Sequence, residues 1–238
     1  MKIYKFKDLT DEKKHFEFYQ IVLQSIFWCA KPDSLNDENE FKFKLDYSLS
    51  ADTANLLSQV VRKCRGTNSP TSYVLKDKEL KKIAVPIIDN LINDCRNEIG
   101  VACFSSKKTD DHLWNEYGGK GNGVCIEINI PDELIGKLYH PVDYVPERIF
   151  PIDSFLESFL SQEGASEIYR YIFLTKTKKW DREEEMRYIS KCQEVNIKID
   201  GYISEVLFGA QVPADTLKQV KAKIVKHCNT NNIRITKL

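Results

Sequence analysis

With 238 residues, 35 Lys plus Arg and 35 Asp plus Glu, the chain has the length of one large domain or two small ones, one being favoured, and no overall field that would draw it onto nucleic acid or an anionic membrane. No apolar run approaches the roughly 20 residues that cross a bilayer, and Met1-Lys2-Ile3-Tyr4-Lys5-Phe6 is too polar for a secretory signal. Seven cysteines, odd in number and never spaced as Cys-x-x-Cys, read as reduced thiols of a cytoplasmic protein, and four dispersed histidines offer no metal-ligand spacing.

In chain order, Lys2 to Phe6 alternates as a strand, and Asp8 to Thr10 makes a polar break. Phe16, Tyr19, Val22, Leu23 and Ile26 then recur at helical spacing, which predicts a helix from about Asp11 to Ser25. A strand over Ile26 to Ala30 stops at Lys31-Pro32-Asp33-Ser34. Two helical patterns follow, Leu56 to Cys64 and Leu80 to Ile92, read as a helical insertion at about 50–98 within a single domain spanning 1–238. Strands return at Val101 to Ser105, Val124 to Ile130, Met186 to Lys191, Ile203 to Phe208 and Ile233 to Ile235. A short helix is expected at Asp110 to Tyr117, and longer ones at Ile152 to Leu160, Ala165 to Phe173 and from Pro213 onward. Strands and helices mix without regular alternation, so the expected fold is α+β, a mixed sheet with flanking helices.

The chemistry-bearing stretch is Trp180-Asp181-Arg182-Glu183-Glu184-Glu185-Met186-Arg187. Extended, it would project Glu183, Glu185 and Arg187 from one face and Met186 and Tyr188 from the other. Two carboxylates beside a guanidinium can stabilise a developing cation and orient a hydroxyl or accept a proton. Read as the start of a helix, the same residues give only a Glu183/Arg187 surface pair at four-residue spacing. Read as a buried ion network, they serve structure alone.

Other constellations carry less. Gly118, Gly119, Gly121 and Gly123 match neither phosphate-binding glycine pattern and precede a strand, so they read as a turn. Trp114 and Tyr117 share a helix side, as core residues or as a platform for a flat ring. Asn36 and Asp37 form a polar elbow, most simply a cap. The lysines after Pro213 read as a solvated helix face or a local basic patch.

Several short motifs, in order, resemble a widespread bacterial family, the domain of unknown function numbered twenty-nine seventy-one. They are Tyr4-Lys5-Phe6, Leu35-Asn36-Asp37-Glu38, Cys103-Phe104-Ser105, Leu113-Trp114-Asn115-Glu116-Tyr117, Gly123-Val124, and Lys176 ahead of Trp180 to Arg187. Leu35, Glu38 and Leu113 depart from the family's aromatic, proline and methionine. The order of a first strand with a polar residue, a helix, a second strand and a late Glu-x-Glu strand is also similar to that of ADP-ribosyltransferases.

That similarity implies a transferase that opens NAD, its substrate, at the nicotinamide ribose. Glu185 would be the catalytic carboxylate and Glu183 the acceptor-side one. Tyr4, Lys5, Asn36, Asp37, Ser105, Trp114, Tyr117 and Arg187 would contact the cofactor. It further implies a bacterial toxin, effector or phage-defence protein acting on nucleic acid or protein, with an antitoxin or regulatory partner; the absence of an apolar run and of ligand spacing adds the expectation of no membrane association and no metal. A non-catalytic ligand- or partner-recognition module is the alternative.

Overall fold

The computed structural model describes residues 1–10, 12–35, 37, 40–46, 51–65, 77–161, 165–227 and 233–238. The elements run β1 (Lys2–Lys7), α1 (Glu12–Gln24), β2 (Ile26–Cys29), β3 (Lys44–Asp46), α2 (Ala51–Arg65), α3 (Asp77–Glu98), β4 (Gly100–Ser105), α4 (Asp111–Glu116) and β5 (Val124–Asn129). They continue with β6 (Tyr139–Pro141), β7 (Asp143–Val145), β8 (Ile149–Pro151), α5 (Ile152–Leu160), α6 (Ala165–Leu174), β9 (Thr175–Thr177), β10 (Glu185–Ser190), β11 (Val195–Lys198), β12 (Tyr202–Phe208), α7 (Ala214–His227) and β13 (Arg234–Lys237). The expected α+β class holds: helices flank a mixed seven-stranded sheet of order β13-β12-β5-β1-β4-β10-β6, in which only β12 and β13 run parallel.

The chain divides into two compact units. The first, Met1–Lys31, Gly100–Val142 and Lys179–Leu238, holds the large sheet. Its central strand β1 buries both faces: Ile3 joins a core with Phe18, Ile21 and Val22 of α1 and Val220 and Ile224 of α7, while Tyr4 and Phe6 join Leu113 and Trp114 of α4. Alternation along β1 therefore decides which layer each side chain enters. The stretch read as a helical insertion falls in the second unit, Pro32–Ile99 and Asp143–Lys178. There α2 and α3 accompany α5, α6 and the short parallel pairs β3/β8 and β7/β9, with Leu57, Val60, Ile88, Phe155 and Phe173 buried.

The glycine-rich stretch after α4 is a turn into β5. Gly119 and Gly121 take φ of +58° and +85°, and a Cβ on Gly123 would stand 2.2 Å from the Lys7 carbonyl oxygen. Only glycine lets this turn pass so close to the end of β1.

Candidate active site

Strand register carries one row of side chains across the sheet: Glu205 of β12 faces Glu127 of β5, which faces Tyr4 of β1, then Ser105 of β4, then Glu185 of β10. Residues in register share a face, so this row lies on the side covered by α4. The next row includes Arg187 opposite Cys103.

Arg187 is fully buried, and its Nε and Nη2 donate to Glu185 Oε1 and Oε2 at 2.8 and 2.9 Å. Two residues apart on one strand, they form a bidentate pair without help from a loop. Glu183, read as a member of the same strand, instead ends the 3-10 turn Lys178–Glu183. Glu184 separates the two with φ of +40°, so the regular alternation begins only at Glu185. The turn still delivers Glu183 to the group. Its Oε1 accepts the Tyr117 hydroxyl at 2.7 Å and stands 3.8 Å from His112 Nε2.

The joint between turn and strand is fastened by the end of β4. Ser105 Oγ donates to the Glu183 carbonyl at 2.6 Å and accepts the Lys107 N–H at 2.9 Å. The Ser106 N–H donates to the Glu184 carbonyl at 2.9 Å, its hydroxyl donates to the Glu184 carboxylate at 2.6 Å, and Lys107 pairs with that carboxylate at 3.1 Å. Ser105, expected to contact a cofactor, is 4% exposed and serves as this fastener.

Burial pushes the Tyr117 hydroxyl well above its ordinary pKa, and Glu183 pushes it further. It therefore remains a neutral donor, the form that a carboxylate acceptor needs. Burial, then Glu185, likewise raises Cys103, which stays a thiol rather than a nucleophilic thiolate.

The remaining expected contacts are distributed differently. Lys5 lies on the opposite face of β1 from Tyr4, donating to the Cys103 carbonyl at 2.6 Å with its ammonium over the Phe104 ring. The reason is the period of two along a strand, which separates neighbours. Trp114 is 7% exposed, with its ring against Phe6 at 90° and 5.2 Å, so it is a core side chain. Asp37 belongs to the second unit, where its carbonyl accepts the Glu40 N–H. Asn36 lies outside the described residues.

Three residues were missed in the sequence. His112 sits in the first turn of α4, its ring 6.3 Å from that of Trp180. Glu127 and Glu205 are buried beside one another. Lys108 pairs with Glu205 at 2.7 Å and with Glu127 at 3.9 Å, Lys2 pairs with Glu127 at 2.8 Å, and Arg234 pairs with Glu205. Burial raises the Glu205 carboxyl, but hydrogen bonds from Lys108, Thr236 and Arg234 outweigh it and bring it down to about 2. A lone Glu among apolar neighbours, as in Val-Cys-Ile-Glu-Ile-Asn and Ile-Ser-Glu-Val-Leu-Phe, was the available signal.

Among the described residues no group of His, Cys, Asp and Glu is arranged to hold a metal ion, and no helix is long and apolar enough to cross a membrane. No family model, curated protein or solved structure matches the chain.

Proposed function

We propose that the chain is an NAD-dependent ADP-ribosyltransferase. The observation that carries the reading is the gathering of Glu183 and Glu185 with Arg187, Tyr117 and His112 on one sheet face, with both carboxylates nearly excluded from water. In such a place a fixed carboxylate acts on developing positive charge far more strongly than in water. Breaking the nicotinamide–ribose bond develops that charge on the ribose, as in glycoside cleavage. Glu185, held rigid by Arg187, is the member that orients a ribose hydroxyl and supports the oxocarbenium-like state. Glu183 stands on the acceptor side. The resemblances in motif and element order lend support by analogy, and they point to a bacterial toxin, effector or defence protein modifying nucleic acid or protein.

The same salt bridge favours a second reading. A carboxylate engaged on both oxygens and 5% exposed also suits a structural ion pair inside a recognition module. Nicotinamide release, measured with NAD and total cellular RNA, DNA and protein, separates the two. The transferase reading expects release from the wild type and none from a Glu185→Gln variant whose circular dichroism remains native. Folded wild type that releases none with any acceptor assigns the pair to structure.

A further inference from the structure

We propose that His112 accepts the proton of the incoming nucleophile, with Glu183 as the residue that positions it. This rests on the transferase reading and specifies the proton path at the same site. Three observations meet at the residue. Asp110 caps α4 by accepting the N–H groups of His112 and Leu113 at 2.9 and 3.4 Å, which fixes the backbone from which the imidazole projects. The imidazole Nε2 faces Glu183 Oε1 at 3.8 Å, and that oxygen is itself held by the Tyr117 hydroxyl at 2.7 Å. The His112 side chain keeps 27% exposure, against 4% for Glu183 and 5% for Glu185, so an acceptor arriving from solvent reaches it before either carboxylate.

With Nε2 turned toward the Glu183 carboxylate, the neutral ring that carries its proton on that nitrogen keeps Nδ1 as its basic nitrogen. In the transfer step, the acceptor oxygen or nitrogen bonds to the anomeric carbon of the ribose. The bond from that carbon to nicotinamide breaks, its electron pair returning to the pyridinium nitrogen, and nicotinamide departs neutral. The acceptor's proton passes to Nδ1, so the positive charge lost by the pyridinium reappears on the imidazole ring, which faces the Glu183 carboxylate. Solvent then takes the proton. The ring of Trp180, tilted 52° to the imidazole, bounds it on one side.

The experiment uses the full chain, NAD labelled in its adenylate, and total cellular RNA, DNA and protein as acceptors. His112→Ala should lower kcat for transfer by about 10²- to 10⁴-fold, the range for a positioned acid–base group, with KM for NAD unchanged. Added imidazole should restore part of the rate, which it would not do for a structural role. His112→Gln, which keeps a polar side chain at the α4 N-terminus, should show the same loss, and thermal unfolding of both variants should match wild type. Wild-type turnover in either variant, or a loss that imidazole does not relieve, overturns the assignment of His112 and leaves the transferase reading standing. Absence of nicotinamide release from folded wild type overturns both.

Discussion

Arg187 grips Glu185 from two residues further along the same strand, through its Nε and Nη2 and both carboxylate oxygens. Replacing Arg187 by Met leaves Glu185 as a buried charge without its guanidinium, at an expected cost of about 3–5 kcal/mol. Replacing Glu185 by Leu in the same chain should recover most of that loss, because an apolar pair needs no compensation in the interior. Urea denaturation of the single and double variants measures both steps.

Ser105→Ala removes the donor to the Glu183 carbonyl and the acceptor of the Lys107 N–H in one change. Leaving such groups unpaired costs about 1–3 kcal/mol. The same substitution should lower nicotinamide release, because the carbonyl it frees belongs to the residue that faces His112. Release and denaturation are read on the same preparation.

Glu184 occupies a left-handed backbone region at φ of +40°. Glu184→Val should destabilise by about 1–2 kcal/mol, since a β-branched side chain resists that region. Glu184→Gly relieves the backbone while losing contacts with Ser106 and Lys107, so its thermal midpoint should stay closer to wild type than that of the valine variant.

Glu205 gives a pH dependence of definite sign. Its folded-state pKa, near 2, lies below the ordinary 4.5, and Glu127 is shifted the same way. A depressed carboxylate binds its proton more readily when unfolded, so its contribution to stability is fully present above the ordinary range and is lost as pH falls toward 2. Thermal midpoints should drop from about pH 5 downward. Glu205→Gln should flatten this drop, and unchanged steepness in that variant would remove Glu205 as its source.

Much of the frame was legible because large amphipathic elements write their period into the chain. The period marks α1, but its core face is Phe18, Ile21 and Val22, with Tyr19 and Leu23 partly buried and Phe16, expected on that face, exposed, while the alternation of Ile3, Tyr4 and Phe6 sends side chains of β1 into two cores. Strands β3, β6, β7, β8 and β9 escaped notice because each is three residues long, below the length at which a period can be read. The spacing places Glu185 with Arg187 on one strand, but Glu183 joins them through the preceding 3-10 turn and not by alternation. Glu183-Glu184-Glu185 carries no signal for a left-handed residue, whose conformation is held by the tertiary contacts of Ser106 and Lys107. His112 reads in the sequence as one of four scattered histidines, because the partner that gives it meaning lies far away along the chain.

The place of β1 between β4 and β5 has a kinetic consequence. Its partners among the described strands lie roughly a hundred residues further along the chain, a non-local closure of the kind that slows folding. Until then Tyr4 and Phe6 lack the layer that Leu113 and Trp114 of α4 form over them, although Ile3 can already pack on α1. Pairing with β5 and β4 sets Tyr4 beside Glu127 and Ser105. The row of polar side chains across the sheet therefore depends on that closure, and a chain stalled before it has the motifs of the site without the site.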